Sequence, residues 1–136
     1  MDLTLERARQ LFERRRDAWL AQDVDRYLDL FAPELEIAMP GRAEPVRGRE
    51  PYAEIVRGSF AWAAPEAFTF HELAVNGDAV LAEWTISVRR RDDRARFEWH
   101  GMSIARIDVD GRIARWREYW DPREVREPTE VPDAGT

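Results

Sequence analysis

The chain has 136 residues, of which 44% are hydrophobic and 35% are charged, a length and composition typical of one globular domain. Its 27 acidic residues outnumber its 21 basic residues, giving a formal net charge of -6 at pH 7. This balance disfavours a nucleic-acid partner, because phosphates require a basic surface. The sequence has no Cys, which excludes disulfides, thiol nucleophiles and Cys-ligated metal centres.

The first 60 residues carry helical patterns with one short strand between them. A helix is predicted over residues 3–21, where apolar side chains recur at helical spacing. Asp23 is a candidate N-cap for a second helix, predicted from Val24 to Phe31. A short strand is predicted at residues 35–39, and a third helix at residues 50–60.

The second half of the chain has the alternating pattern of strands. Turn signals such as Asn76-Gly77 and Asp110-Gly111 separate four predicted strands, at residues 68–75, 79–89, 96–109 and 112–121. Helices gathered on one face of an antiparallel sheet predict an α+β fold, a cone-shaped curved antiparallel sheet with three helices packed on its concave face. Residues 1–122 are predicted to form this domain, and residues 123–136, rich in Pro and acids, an extended or disordered tail.

The last predicted strand holds the main candidate for chemistry. Alternation places Glu118 between Trp116 and Trp120 on one face, and Asp121 on the other. Desolvation between indole rings would raise the pKa of Glu118 and suit it to acid–base catalysis. The alternative is a Glu118 that pairs with an Arg and only sets strand register. Asp121 is the second catalytic candidate; it can join Glu118 only if a bulge re-aims it, and otherwise it pairs with an Arg or caps the turn.

Aromatic side chains on several elements predict a pocket for an apolar or aromatic ligand. Each ring alone could be ordinary core, but together they are typical of a ligand cavity. The predicted ligand-binding residues are Tyr27, Tyr52, Trp62, Trp84, Trp99, Trp116 and Trp120. Glu36 is also predicted to bind the ligand, as a second acid that faces the cavity. The alternative is that Glu36 is an ordinary exposed acid in an edge strand.

The two histidines offer little for a metal site. His100 alternates away from the aromatic face, and His71 lies near the surface by the same reasoning. With no carboxylate cluster beside them, no metal site is expected. The sequence also lacks a phosphate-binding Gly loop and a dinucleotide fingerprint, so no cofactor is expected.

Several segments carry a family resemblance that spans residues 3–122. They are Gln22-Asp23-Val24-Asp25, Leu30-Phe31-Ala32-Pro33, Val46-Arg47-Gly48-Arg49-Glu50, and Asp110-Gly111-Arg112-Ile113 through Trp116-Arg117-Glu118-Tyr119-Trp120-Asp121. With the order of elements, they resemble the superfamily of nuclear transport factor 2, SnoaL-like polyketide cyclases, ketosteroid isomerase and limonene-epoxide hydrolase. The resemblance implies the cone fold, but it fixes no reaction because the fold hosts many chemistries.

The resemblance also bears on the two acids. The segment from Trp116 to Asp121 is similar to a Trp-Arg-Asp-Tyr-Phe-Asp segment of epoxide hydrolases and SnoaL-like proteins. Glu118 stands at the position of the acid that is catalytic in the hydrolases, and an Asp near the position of Asp121 acts on substrate in SnoaL-like cyclases. The Arg and Asp that the hydrolases need on a neighbouring strand are absent from Glu83-Trp84-Thr85-Ile86.

Together these patterns predict a cofactor-independent enzyme that acts on a hydrophobic small molecule by cyclisation, isomerisation, dehydration or epoxide opening. A non-catalytic ligand-binding or dimerisation module is the alternative, and a protein-binding domain like nuclear transport factor 2 is a third possibility. The resemblance implies a homodimer through the outer face of the sheet. We expect a cytoplasmic protein without a membrane partner, since the charged start of the chain has no apolar signal core.

Overall fold

The computed structural model describes residues 3–132. Four helices lie at Leu5–Leu20 (α1), Val24–Leu28 (α2), Arg49–Trp62 (α3) and Pro122–Arg126 (α4). Six strands lie at Phe31–Ala38 (β1), Val46–Arg47 (β2), Ala63–Asn76 (β3), Ala79–Arg90 (β4), Arg96–Ile107 (β5) and Ile113–Trp120 (β6). No helix among the described residues is both long and apolar enough to span a bilayer.

The six strands form one sheet in the order β2-β1-β6-β5-β4-β3. Strands β3 to β6 pair antiparallel with their chain neighbours, as the turn signals predict. The pairing of β1 with β6 is parallel, which the sequence did not predict because the two strands are far apart in the chain. The predicted α+β fold is confirmed.

The N-terminal boundaries differ in one place that matters for the core. Phe31 was predicted to end the second helix, but α2 stops at Leu28 and Phe31 is the first residue of β1. Pro33 restricts only Ala32, the residue before it, so the earlier end of α2 goes instead with the pairing of Phe31 to the sheet. Phe31 is fully buried and pairs with Ile113 of β6, so it anchors the short strand to the sheet.

Strand β3 is longer than predicted. It begins at Ala63, five residues before the predicted start at residue 68, and it contains Pro65. A proline is compatible with this position because β3 is an edge strand, where one backbone N–H needs no partner. The extension carries the strand to the end of α3 and so closes one wall of the cone.

The C-terminal segment, for which an extended or disordered tail is predicted, contains a short helix. Pro122–Arg126 forms the short helix α4, whose N-cap is Asp121. Further on, Glu130 forms an antiparallel bridge with Arg96 of β5. The end of the predicted tail, residues 133–136, lies outside the described residues, and the domain boundary at residue 122 stays a prediction.

Side chains from the helices and from one face of the sheet share a single core. Among the largest fully buried side chains are Phe12 of α1, Tyr27 of α2 and Trp84 of β4. Capping fixes where the helices begin, because Thr4 accepts a hydrogen bond from the Arg7 backbone and Asp23 accepts one from the Arg26 backbone. The helices are thereby held against the concave face of the sheet, and a cavity remains between them.

Candidate functional site

The cavity between the helices and the sheet has a volume of about 320 Å³. It lies at the lower end of the range of about 300–1,000 Å³ found for small-molecule sites. The structure places six of the predicted ligand-binding side chains in its lining: Tyr27, Tyr52, Trp62, Trp84, Trp99 and Trp120. The wall is therefore mainly aromatic, and a ligand held there would be largely apolar.

Glu118 is the carboxylic acid of this cavity. Among the described residues that line it, no other Asp or Glu is present. Strand alternation puts Glu118 on the concave side of β6, between Trp116 and Trp120, as predicted. Its Oε2 accepts a hydrogen bond of 3.1 Å from the indole Nε1 of Trp116.

The surroundings of Glu118 favour its protonated form. Burial away from water raises the pKa of the Glu118 carboxyl above its usual value. Hydrogen bonds from the indoles of Trp120 and Trp116 and the charge of Arg15 lower this pKa again in part. The net shift is upward, which brings the carboxyl closer to the pH at which it can both take and give a proton.

A chain of three polar side chains crosses the cavity opposite this acid. The Nε of Arg15 donates to the Tyr27 hydroxyl over 3.3 Å, and the Tyr27 and Tyr52 hydroxyls share a hydrogen bond of 2.9 Å. Tyr27 is buried, and either hydroxyl of this pair can donate to the other. When Tyr27 donates to the Tyr52 oxygen, Tyr52, which also lines the cavity, can donate its own proton to a ligand.

Tyr52 stays protonated at any ordinary pH. Burial raises the pKa of Tyr52 well above its usual value, and the neighbouring Tyr27 adds to this effect. The charge of Glu118 acts on Tyr52 in the same direction, so the two groups are close enough to interact. Tyr52 is therefore a hydrogen-bond donor in the cavity rather than a base.

The structure places the other predicted site residues elsewhere. Trp116 is buried beneath the cavity, where it contacts Phe12, Phe31 and Arg15; it supports the site but does not line it. Glu36 does not face the cavity. Leu35 and Ile37 take the inward positions of β1, so alternation turns Glu36 to the outer face of the sheet, near Arg115 and Arg117.

Asp121 is also separated from the cavity. Its carboxylate accepts the backbone N–H of Arg123 over 2.9 Å and pairs with the Arg123 guanidinium over 2.8 Å. The Arg123 guanidinium holds the pKa of Asp121 below its usual value. No bulge turns Asp121 toward Glu118, so a site with two facing carboxylates is not formed, and Asp121 instead caps α4.

Sequence reasoning missed Arg15, which is 4% exposed. It sits on the inward stripe of α1, three residues after Phe12 and four before Trp19. Its position on that stripe was a usable signal, since the inward face of a helix rarely holds a charge. Arg15 connects the helix to the cavity, to the tyrosines and to Trp116.

The two histidines lie together on the outer face of the sheet. The Thr85 hydroxyl contacts Nε2 of His71 over 2.7 Å and Nδ1 of His100 over 2.8 Å. Within residues 3–132, no three His, Asp or Glu side chains are grouped so that they could hold a metal ion. The histidines and Thr85 thus form a polar surface cluster apart from the cavity.

The cone, its aromatic cavity and its single acid agree with one family. The sequence profile of the SnoaL-like domain matches residues 12–116, more than half of the chain. The chain belongs to the SnoaL-like domain family. No curated protein matches the sequence, so the family is shown by its profile.

Solved structures share this SnoaL-like fold over nearly the whole chain. An epoxide hydrolase of the LEH-like type from M. tuberculosis aligns with a TM-score of 0.73 at 24% identity, covering 88% of this chain and 86% of its own. TsrD from Streptomyces laurentii aligns with a TM-score of 0.75 at 24% identity, covering 90% and 94%. A protein of ketosteroid isomerase-like fold from Catenulispora acidiphila, solved with trimethylamine, aligns at 0.77 and 16% identity, covering 90% and 93%. At such identities the likeness shows the fold alone.

Proposed function

We propose that this SnoaL-like protein is an enzyme that moves a proton on an apolar small molecule held in the cone cavity, with Glu118 as the acid–base group. The observation that carries the proposal is the position of Glu118. It is the one carboxyl among the described lining residues, it lies among aromatic rings, and its pKa is raised by burial. A carboxylate in such surroundings is a stronger base than one in water.

Tyr52 supplies the second function that such a reaction needs. When Glu118 takes a proton from a carbon next to a carbonyl group, the electron pair of the broken C–H bond moves to the carbonyl oxygen. The Tyr52 hydroxyl, which lines the same cavity, would donate a hydrogen bond to that oxygen and stabilise its negative charge. Return of the proton from Glu118 to another carbon completes an isomerisation. In a cyclisation the enolate carbon instead bonds to the carbon of a second carbonyl, the π electrons of that carbonyl move to its oxygen, and this oxygen takes the proton from Glu118.

Epoxide opening fits the site less well than enolate chemistry. Strand β4, which β5 separates from β6, carries Trp84 in the stretch where the hydrolases have their additional charged residues, and Asp121 does not line the cavity. Glu118 would have to activate water and assist ring opening alone. Isomerisation or cyclisation needs only one base and one oxygen-binding donor, both of which the cavity has.

The proposal is tested with 5-nitrobenzisoxazole, an apolar probe from which a base removes one C–H proton. As this proton leaves, the N–O bond breaks and a coloured phenolate forms, which is followed by absorbance. We expect the wild-type protein to accelerate this elimination over buffer, and Glu118→Gln to lower the rate by about 100-fold or more. Tyr52→Phe should lower it by about tenfold, since it removes a donor to the developing phenolate.

Glu83→Gln is the matched control, because Glu83 is an exposed glutamate on the outer side of β4. It should leave the rate unchanged. A folded Glu118→Gln protein that keeps the wild-type rate would refute the role of Glu118. A wild-type protein no faster than buffer would refute the base in the cavity altogether.

A non-catalytic ligand-binding module is the second candidate. The observation that favours it is the hydrogen bond from Trp116, which holds one oxygen of Glu118 in place. In a binder, Glu118 would orient a ligand donor and would transfer no proton. Apolar ligands that bind while the elimination assay shows no rate above buffer would favour this candidate.

The homodimer is also kept as a proposal. Met102 and Tyr119 project from the outer face of the sheet, with 50% and 57% of their surface exposed. Exposed large side chains on a sheet face are suited to burial against a second copy of the chain. Sedimentation equilibrium should give twice the chain mass of 16.0 kDa, and Met102→Glu should shift it toward a single chain.

A further inference from the structure

The guanidinium of Arg15 is buried at the cavity with its hydrogen bonding incomplete. Its Nε donates to Tyr27, but its Nη1 is enclosed and has no acceptor among residues 3–132. None of the ion pairs formed by these described residues includes Arg15. A buried cation that lacks a carboxylate partner is unusual, because its lost hydration is then not replaced.

Aromatic rings replace part of that hydration. The guanidinium carbon of Arg15 lies 4.1 Å from the centroid of a ring of Trp116 and 5.1 Å from that of Phe68. Such stacking stabilises the cation over its flat faces. It does nothing for the N–H groups at the edge of the guanidinium, and Nη1 therefore stays unsatisfied.

Glu118 does not fill this place. Its carboxyl lines the same cavity but accepts the indole N–H of Trp116, and it forms no hydrogen bond with Arg15. The cavity lining thus includes the buried Arg15, a separate acid and two tyrosine hydroxyls, with Arg42 as a second, exposed cation. Nη1 itself is enclosed, but Arg15 lines the cavity, so a ligand that brings a negative oxygen to its guanidinium would balance the charge.

We propose that Arg15 anchors an anionic oxygen of the ligand, and that the ligands of this cavity are apolar ring compounds carrying a carboxylate. The inference rests on the proposed function in one respect, since it takes the cone cavity as the ligand site. It adds the polarity of the ligand: the anionic end lies toward α1, and the apolar body lies among the tryptophans. The volume of about 320 Å³ limits that body to a few rings.

The test compares 2-naphthoate with 2-naphthamide, two probes of nearly equal shape of which only the first is charged at neutral pH. Binding is followed by calorimetry and by tryptophan fluorescence. We expect the wild-type protein to bind the carboxylate more tightly by about tenfold or more, as for a hydrogen bond between charged groups. Arg15→Met should remove this preference while the amide still binds.

Three further variants control the comparison. Arg15→Met is expected to fold, because an apolar side chain of similar length replaces a buried unpaired charge; Arg15→Lys keeps the charge and should keep part of the preference. Arg14→Gln changes the exposed neighbour on the same helix and should behave as wild type. Arg42→Gln changes the exposed arginine of the cavity lining and should also retain the preference.

Equal affinity of the wild-type protein for the two probes would overturn the inference about the anion, although the cavity would still bind apolar ligands. A preference that survives in Arg15→Met, or that disappears in Arg42→Gln, would overturn it as well, because the anion would then be bound elsewhere. If neither probe binds at millimolar concentration, the ligand class is wrong. The Glu118-dependent elimination would still decide the proposed function separately.

Discussion

Gly101 should tolerate no side chain, because Trp84 lies over it. The two residues are paired partners on β5 and β4. A Cβ atom built on Gly101 would lie 2.6 Å from Cζ2 of Trp84 and 2.9 Å from its Cζ3, about 1 Å closer than ordinary contact between carbon atoms. The Gly101→Ala substitution therefore forces the indole to move toward the cavity.

The cost can be worked out from this displacement. Overpacking of a core costs about 1–3 kcal/mol. Moving the indole also strains its buried hydrogen bond of 3.2 Å to Ser103, worth about 1 kcal/mol. The lower chain entropy of unfolded Ala returns about 0.5–1 kcal/mol. We expect the free energy of unfolding to fall by about 1–3 kcal/mol in all.

Gly58→Ala is the matched control with the opposite expected sign. Gly58 lies in α3 and is exposed, and the position that a Cβ would take on it has open space for 4 Å around. Alanine there should raise the free energy of unfolding by about 0.5–1 kcal/mol through helix propensity. Urea unfolding followed by tryptophan fluorescence measures both. A Gly101→Ala protein as stable as wild type would refute the packing of Trp84 on Gly101.

Three further predictions concern the acids Glu118 and Asp121. Because the pKa of Glu118 is raised in the folded protein, the wild type loses stability as pH rises from the ordinary Glu pKa of about 4.3 through the raised value. Glu118→Gln removes this loss. The free energy of unfolding of the variant should match that of wild type below about pH 4 and exceed it above the raised pKa of Glu118. Equal stability of the two proteins at every pH would contradict the desolvation of the Glu118 carboxyl. Trp116→Phe removes a hydrogen bond that lowers the Glu118 pKa, so the rate of the elimination should titrate at a higher pH than in wild type. Asp121→Asn should slightly lower the free energy of unfolding, because it weakens the cap of α4, and should leave the elimination rate unchanged. A large fall in that rate would show that Asp121 takes part in the reaction.

Local pattern predicted the fold well where strands follow one another in the chain. Asn76-Gly77 and Asp110-Gly111 stand at turns between antiparallel neighbours, and the structure has those hairpins. The parallel pairing of β1 with β6 was not predictable in this way, since it joins Phe31 to Ile113 across most of the chain. Such long-range pairing is decided by burial in the finished core rather than by local sequence.

The candidate site was also predictable where it depends on the local alternation of a strand. Alternation along β6 puts Glu118 in the lining of the cavity, whereas Asp121 lies beyond the end of the strand and caps α4. The same rule, applied to Leu35 and Ile37, would have turned Glu36 outward. Arg15 was overlooked because it stands within Arg14-Arg15-Arg16, a run typical of a solvated helix face. Only the helical phase of Phe12 and Trp19 distinguishes it from its two neighbours.

Trp116 explains how a cation and an acid coexist in this small cavity without neutralising each other. Arg15 stacks on a ring of Trp116, and Glu118 accepts the indole N–H of the same residue. Arg15 and Glu118 therefore each interact with Trp116 and form no hydrogen bond with one another. A direct Arg15–Glu118 ion pair would lower the carboxyl pKa and use up the guanidinium. With the indole serving both, the acid keeps a raised pKa suited to proton transfer, and the cation keeps an N–H group for a ligand.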